Sequence, residues 1–339
     1  MERLVEVASS GLMYSVSVII ALWTAGAIYY DVGRGSIVGW VLSIGWITAV
    51  ALAFMFWQPP HAPFMALLAG FVTFLFWWFR QRPSHERAWD PNFAQLPHLE
   101  IDGDTLTIYN LRNSEYPALG EVTPRFETRT VRISRLRGLD SLILHWESPW
   151  MSHPMFIFDF GAGCRICISV EVRYRIGQEF GILRTLYRQQ ELMYVVSDER
   201  DAILKRTRYG KGENLYLYRW NIDPIEMRHV LFDYVYSINQ IAAHPRWYNG
   251  VTSNCTTSIY AQTRTRMDWH WYLLFNANLD RLMYERGRLD QNVPFETLKR
   301  ESWLNEIANS APPDDFGEHI RRELSGYVTP KGTDISINS

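Results

Sequence analysis

Residues 153–173 read His153-Pro-Met-Phe-Ile-Phe-Asp-Phe160, Gly161-Ala-Gly163, then Cys164-Arg-Ile-Cys-Ile-Ser-Val-Glu-Val-Arg173. Two runs rich in β-branched and aromatic residues flank three small ones, the pattern of a β-hairpin closed by a three-residue loop. Such a loop pairs Phe160 with Cys164, so facing residues carry numbers that sum to 324. His153 then stands opposite Glu171, and directly opposed residues have Cβ atoms about 4.5–5.5 Å apart. A carboxylate there can hold one imidazole nitrogen while the other exchanges a proton. The register is sensitive, because a one-residue slip would turn every side chain to the other face. Cys164 and Cys167 form a C-x-x-C, but in a strand those positions face opposite sides. No second pair completes a zinc set, so both read as structural.

Outward from this hairpin, short β runs dominate. Leu99–Ile108, interrupted by Asp102-Gly103-Asp104, reads as another hairpin, and Leu139–Trp146, Leu192–Val196 and Leu215–Tyr218 read as strands. Gln178–Gln189 reads as a short helix. Pro224 opens an amphipathic helix through about Ala243, with proline at an early helical position, and helical patterning resumes after Asn254 to about Arg286. Asp198-Glu199-Arg200-Asp201 reads as a charged turn with an internal ion pair. Strands and helices in segregated blocks predict an α+β fold rather than a doubly wound one.

The N-terminal part has a different character. Residues 1–79 carry only five charged side chains, Glu2, Arg3, Glu6, Asp31 and Arg34. Leu12–Tyr30 (19 residues), Ile37–Trp57 (21) and Pro63–Phe79 (17) are uncharged and apolar. A bilayer core takes about 17–25 such residues as helix. Tyr29, Tyr30, Trp57, Trp77 and Trp78 gather at the ends, as at headgroup level. Three transmembrane helices are therefore expected, and a cleaved leader fits poorly. The domain plan is a membrane anchor over 1–80, a linker over 81–98, a folded domain over 99–324 and a flexible tail over 325–339. With Arg34, Arg80, Arg82 and Arg87 on the domain's side and Arg3 on the other, the positive-inside rule places the domain in the cytoplasm.

Composition excludes several classes. Hydrophobic residues make up 47% and aromatics 14%, too apolar for a disordered chain. Lys+Arg 34 against Asp+Glu 36 leaves no basic footprint for nucleic acid. Three cysteines exclude a disulfide scaffold. There is no Gly-rich phosphate loop, no H-E-x-x-H and no G-x-S-x-G, so neither a cofactor nor a metal is expected.

The third cysteine is different. Cys255 lies in Tyr248-Asn249-Gly-Val-Thr-Ser-Asn254-Cys255-Thr-Thr257, just before a helical run. Ser253 or Asn254 is a natural N-cap, which puts the thiol in the first helical turn. Unpaired N–H groups and the helix dipole there stabilise a thiolate. The alternative is a small buried cysteine, the commoner fate. Of nine histidines, His153 is the best-placed base.

The motif order resembles the Lnb N-terminal periplasmic domain family. It is carried by Ile101-Asp-Gly-Asp104, Asn110-Leu-Arg112-Asn113, Leu136-Arg-Gly-Leu-Asp140, Ser152-His153 and Ser169-Val-Glu171-Val-Arg173. Tyr194-Val-Val-Ser-Asp198-Glu-Arg-Asp201, Pro245-Arg-Trp-Tyr248-Asn249 and Thr252-Ser-Asn254-Cys255-Thr-Thr257 complete it. The resemblance covers roughly residues 80–280 and implies a permuted papain-like (NlpC-type) enzyme. It implies Cys255 as nucleophile, His153 as base and Glu171 as orienting residue. Asn249 is the oxyanion candidate, with Tyr248, Asn254 and Arg173 as further oxyanion or substrate contacts. Pro154 departs from the small polar residue expected there and removes a backbone donor beside the base. The implied reaction moves a fatty acyl chain from a phospholipid donor, through a thioester, to the α-amine of a lipoprotein acceptor. The implied site is the bacterial inner membrane, with the domain on the periplasmic side, against the charge count. Two rivals stand beside it: a cysteine peptidase or amidase of cell-envelope peptides, and a non-catalytic membrane-anchored binding domain.

Overall fold

The computed structural model describes residues 2–117, 122–146, 151–210, 212–252 and 278–327. They fall into two compact units. The first comprises Met1–Arg87, Gln178–Glu191 and Arg246–Gly250; the second comprises Ala88–Gly177, Leu192–Pro245 and Val251–Ser339.

In the first unit the charge-poor region folds into α1 (Glu2–Ala27), α2 (Ile37–Phe56) and α3 (His61–Arg80), with a π turn at Ile28–Val32 extending α1. Val7–Val32, Ile37–Phe56 and His61–Arg80 are long and apolar enough to cross a membrane, as expected. Between apolar helices, lipid offers no hydrophobic drive, so packing and hydrogen bonds hold them together. Ser43 Oγ donates to Ala25 O at 2.8 Å and Trp46 Nε1 to Ala21 O at 3.2 Å.

The remaining pieces of this unit attach at one end of the helices. Gln178–Gln189 is not a helix; only Leu183–Leu186 forms a 3₁₀ turn. Its side chains bind distant groups instead, which overrides local propensity. Tyr187 packs on Trp23 and stacks on Tyr30 at 5.1 Å. Gln189 Nε2 and Trp78 Nε1 each donate to Asp31 at 2.6 Å. Arg188 lies 4.2 Å over the Trp78 ring and donates to the carbonyls of Phe79 and Gln81.

Gly26 makes this docking possible. A Cβ there would lie 1.9 Å from the Tyr187 oxygen, whereas one at Gly70 would meet nothing. Gly26→Val is expected to cost about 1–3 kcal/mol by overpacking and to loosen 178–191. Limited trypsinolysis in detergent would then cut faster after Arg184 and Arg188 than in wild type or Gly70→Val. Equal rates would refute the docking.

The second unit is built on one sheet. Its strands are β1 (His98–Asp102), β2 (Thr105–Arg112), β3 (Phe126–Arg132), β4 (Gly138–His145), β5 (Ser152–Asp159), β6 (Arg165–Arg173), β7 (Glu191–Asp198) and β8 (Asn214–Arg219). The order is β1-β2-β7-β6-β5-β4-β8, with β3 on β2. Both expected hairpins are present. Asp102 pairs Thr105 across Gly103-Asp104, and Asp159 pairs Arg165 across the loop around Gly161-Ala-Gly163. The β5–β6 register runs from Asp159↔Arg165 to Met155↔Ser169, so partners do sum to 324. The ladder stops beside Pro154, which has no N–H to extend it. β3 escaped the sequence reading because Phe126–Arg132 is mostly polar, as suits an exposed strand.

Helices cover both faces, which explains strands buried nearly throughout. α5 (Pro224–Ala243) begins at Pro224 as expected, capped by Asp223. Its Tyr234 packs edge-on against Phe156 and Phe158, and its Asn239 bonds both backbone groups of Leu99. Asp280 opens α6 (Leu279–Glu285) and ties His145 of the sheet to Lys299 of α7 (Phe295–Glu301). The opposite face carries Leu144, Met155, Ile157 and Cys167 under α4 (Glu199–Tyr209), α8 (Asn305–Ser310) and α9 (Phe316–Glu323). Cys167 is thus core, and burial pushes its thiol up to about 12. Together these elements make the α+β fold expected.

The expected charged turn at 198–201 is instead the start of α4. Asp198 caps the helix through Arg200 N. Asp201 accepts from Arg112 and from Ser114 N, and Glu199 binds Arg321. The carboxylates serve remote arginines, not a neighbour in the turn. Two boundaries also differ. Residues 81–98 are not a bare linker: Ser84 N donates to Glu191 and Arg87 pairs with it at 2.7 Å. Trp89 bridges to Arg175. Within the expected tail, Gly326 N donates to Glu301 O and Tyr327 OH to Asp140. Residues 328–339 lie outside the described ones.

Candidate active site

Period two along β5 and β6 puts His153, Ser169 and Glu171 on the face that α4 covers. His153 Nε2 is 3.3 Å from Glu171 Oε1, the pairing the hairpin register foretold. Ser169 stands between them: its Oγ is 2.8 Å from His153 Nε2 and donates to Glu171 Oε1 at 2.6 Å. Arg206 of α4 reaches down to the same Oε1 at 2.6 Å while its other nitrogen donates to Ala202 O at 3.0 Å.

This network assigns the tautomer. An ionised carboxylate only accepts, so the single hydroxyl proton of Ser169 goes to Glu171. Ser169 Oγ then accepts from His153 Nε2–H, and the basic nitrogen of the neutral ring is Nδ1. Burial alone would push the Glu171 carboxyl up. The His153 ring, its hydrogen bond and the charges of Arg206 and Lys205 outweigh it and hold the group well below the usual carboxylate range.

Other groups surround the histidine. The Trp146 ring lies 6.2 Å from His153, and its Nε1 donates to Glu213 at 3.3 Å. Burial pushes the Glu213 carboxyl up against the pull of Arg206, Trp146, His153 and Lys205. Lys205, over the Phe93 ring at 4.9 Å, is pushed down to about 7 by burial and the charges of Arg112 and Arg206.

Arg173, expected to touch substrate, is 3% exposed. Its guanidinium donates to Phe93 O and Ala94 O and lies 4.1 Å over Trp89. It clamps the chain entering β1, because a buried guanidinium needs fixed acceptors. Tyr248 and Asn249 belong to the first unit. There Tyr248 N donates to Gln190 O and Gly250 N to Thr185 O. Cys255 and Asn254 lie outside the described residues. Among the described residues no group of His, Cys, Asp and Glu could hold a metal ion.

Sequence reading missed Ser169 as a bridge, although its two-residue spacing from Glu171 was a usable signal. It could not have found Arg206, which no local pattern connects to β6.

Residues 122–274 match the family model described as the Lnb N-terminal periplasmic domain. That stretch is therefore similar to the Lnb N-terminal periplasmic domain. No curated protein and no solved structure matches it. Three apolar spans followed by this domain fit a multi-pass inner-membrane protein with its domain in the periplasm. The charge count is thereby overturned, and physics offers reasons. Long domains translocate largely regardless of flanking charge. Arg87 is also neutralised by the buried Glu191, and Arg80 lies over the Phe76 ring. Several residues that carry the Lnb resemblance are structural: Arg112 with Asp201, Asp140 with Arg219 and Arg321, and Asp198 with Arg129.

Proposed function

We propose that this protein is a membrane-anchored thiol acyltransferase of the permuted papain-like type. The observation that supports the reading is the His153–Ser169–Glu171–Arg206 chain, in which a carboxylate anchored by Arg206 lies beside Nε2 of the His153 ring. Nδ1 takes the proton of the Cys255 thiol, and the thiolate attacks an ester carbonyl of a phospholipid. The ester C–O bond breaks, and the leaving alkoxide takes the proton back from His153. The α-amine of a diacylglyceryl-cysteine lipoprotein then attacks the thioester. His153 accepts the amine's proton, the C–S bond breaks, and the thiolate recovers a proton. Asn249 is the proposed oxyanion contact, with Tyr248 and Asn254 as further candidates. Tethering by three spans confines the enzyme to the plane that holds both lipid substrates.

Intact-protein mass spectrometry after incubation with phospholipid tests this reading. Wild type is expected to gain one acyl mass that hydroxylamine releases, and Cys255→Ala to gain none. Free fatty acid with no transfer to an amine would instead favour a hydrolase. No adduct on either protein, with lipid bound, would favour a binding domain.

A further inference from the structure

The segment 178–191 presents three large apolar side chains outward: Phe180 is 49% exposed, Ile182 61% and Leu183 63%. Such a cluster on a single turn is a poor water-facing surface, and what lies beside it indicates what covers it. The segment belongs to the same compact unit as the three membrane spans. Its Tyr187 oxygen rests against Gly26, six residues inside the end of the Val7–Val32 span, or about 9 Å along the helix axis. Its Arg188 and Gln189 join Trp78 and Asp31 in a cluster of aromatic, charged and polar groups. Trp and Tyr of this kind mark the headgroup level of a bilayer. Tyr187, Arg188 and Gln189, which follow the apolar turn in the same segment, are thus fastened to the spans at the headgroup level.

We propose that Phe180–Leu183 inserts into the periplasmic leaflet of the inner membrane, as an apolar wedge against phospholipid acyl chains. The same segment receives the backbone of Tyr248 and Gly250 through Gln190 O and Thr185 O. The membrane-inserted turn and the stretch leading toward Cys255 are therefore one hydrogen-bonded assembly. The inference stands on the placement of the unit in the membrane and does not require acyl transfer.

The test uses the full chain in phosphatidylethanolamine/phosphatidylglycerol vesicles, with the photo-crosslinker p-benzoylphenylalanine at Phe180 or at Leu183. The same probe at Ile101, an exposed residue of the β1–β2 hairpin, is the comparison. Irradiation is expected to add a phospholipid mass at 180 and 183 well above the level at 101. Lipid adducts no more frequent than at 101 would overturn the proposal. Crosslinks at 180 and 183 to a second copy of the chain would also overturn it, by naming a protein as the occupant. Because the readout is lipid contact, it is independent of whether Cys255→Ala abolishes an acyl adduct.

Discussion

Replacing His153 by alanine is expected to slow acyl-enzyme formation by about 10²–10⁴-fold, the usual worth of a positioned general base. The thiol of Cys255 would remain, so a slow adduct should still accumulate at high pH, where thiolate forms without help. Single-turnover mass spectrometry against time measures this. A rate unchanged from wild type would remove His153 from the mechanism. Glu171→Gln gives a finer reading because it keeps shape and removes charge. A carboxylate 3.3 Å from Nε2 favours the imidazolium. Its loss should therefore move the acid limb of the pH–rate profile to lower pH, while lowering the rate through a less firmly held ring. A purely structural Glu171 would leave that limb in place. The stability effect has a definite sign. The Glu171 carboxyl is held well below its ordinary value in the folded state. It therefore contributes stability above the ordinary carboxylate range, and this is lost as pH falls through its folded value.

Arg112→Met is expected to be the most destabilising single change outside the site. Arg112 and Asp201 are 2% and 0% exposed and paired at 2.7 Å. The pair joins the outer strand β2 to α4, where β2 and β7 share only the Arg112↔Ser197 bridge. Removing the cation leaves a buried carboxylate whose remaining hydrogen bond, among the described residues, comes from the Ser114 amide, a cost of about 3–5 kcal/mol. For a domain of this size the midpoint of thermal unfolding should fall on the order of 10 °C. Arg112→Met combined with Asp201→Leu should recover much of the loss, since two apolar groups need no partners. Thermal unfolding followed by tryptophan fluorescence in detergent measures both. A double variant less stable than Arg112→Met would show that packing, not the orphaned charge, dominates.

These predictions differ in how far the sequence announced them. Three apolar runs separated by Asp31–Gly35 and Gln58–His61 were sufficient for three spans, because burial in lipid is a property of composition over a window. The two hairpins were equally readable. Short loops of small residues leave one register, and alternation carries that register along the strand as far as His153 and Glu171. The α5 start at Pro224 followed from a cap and a proline acting within one turn.

Long-range charge and docking were decided only by the tertiary structure. Asp198, Glu199 and Asp201 looked like a self-contained turn, yet each finds its arginine far along the chain: Arg129, Arg321 and Arg112. Arg206 reaches Glu171 only because α4 packs across β6. Gln178–Gln189 had the look of a helix until Tyr187, Arg188 and Gln189 found better partners on α1 and α3. Periodicity and turn chemistry act between neighbours and are written in order along the chain. A buried carboxylate, or an arginine over a ring, takes whichever partner the packed fold brings near, and nothing in its immediate sequence names that partner.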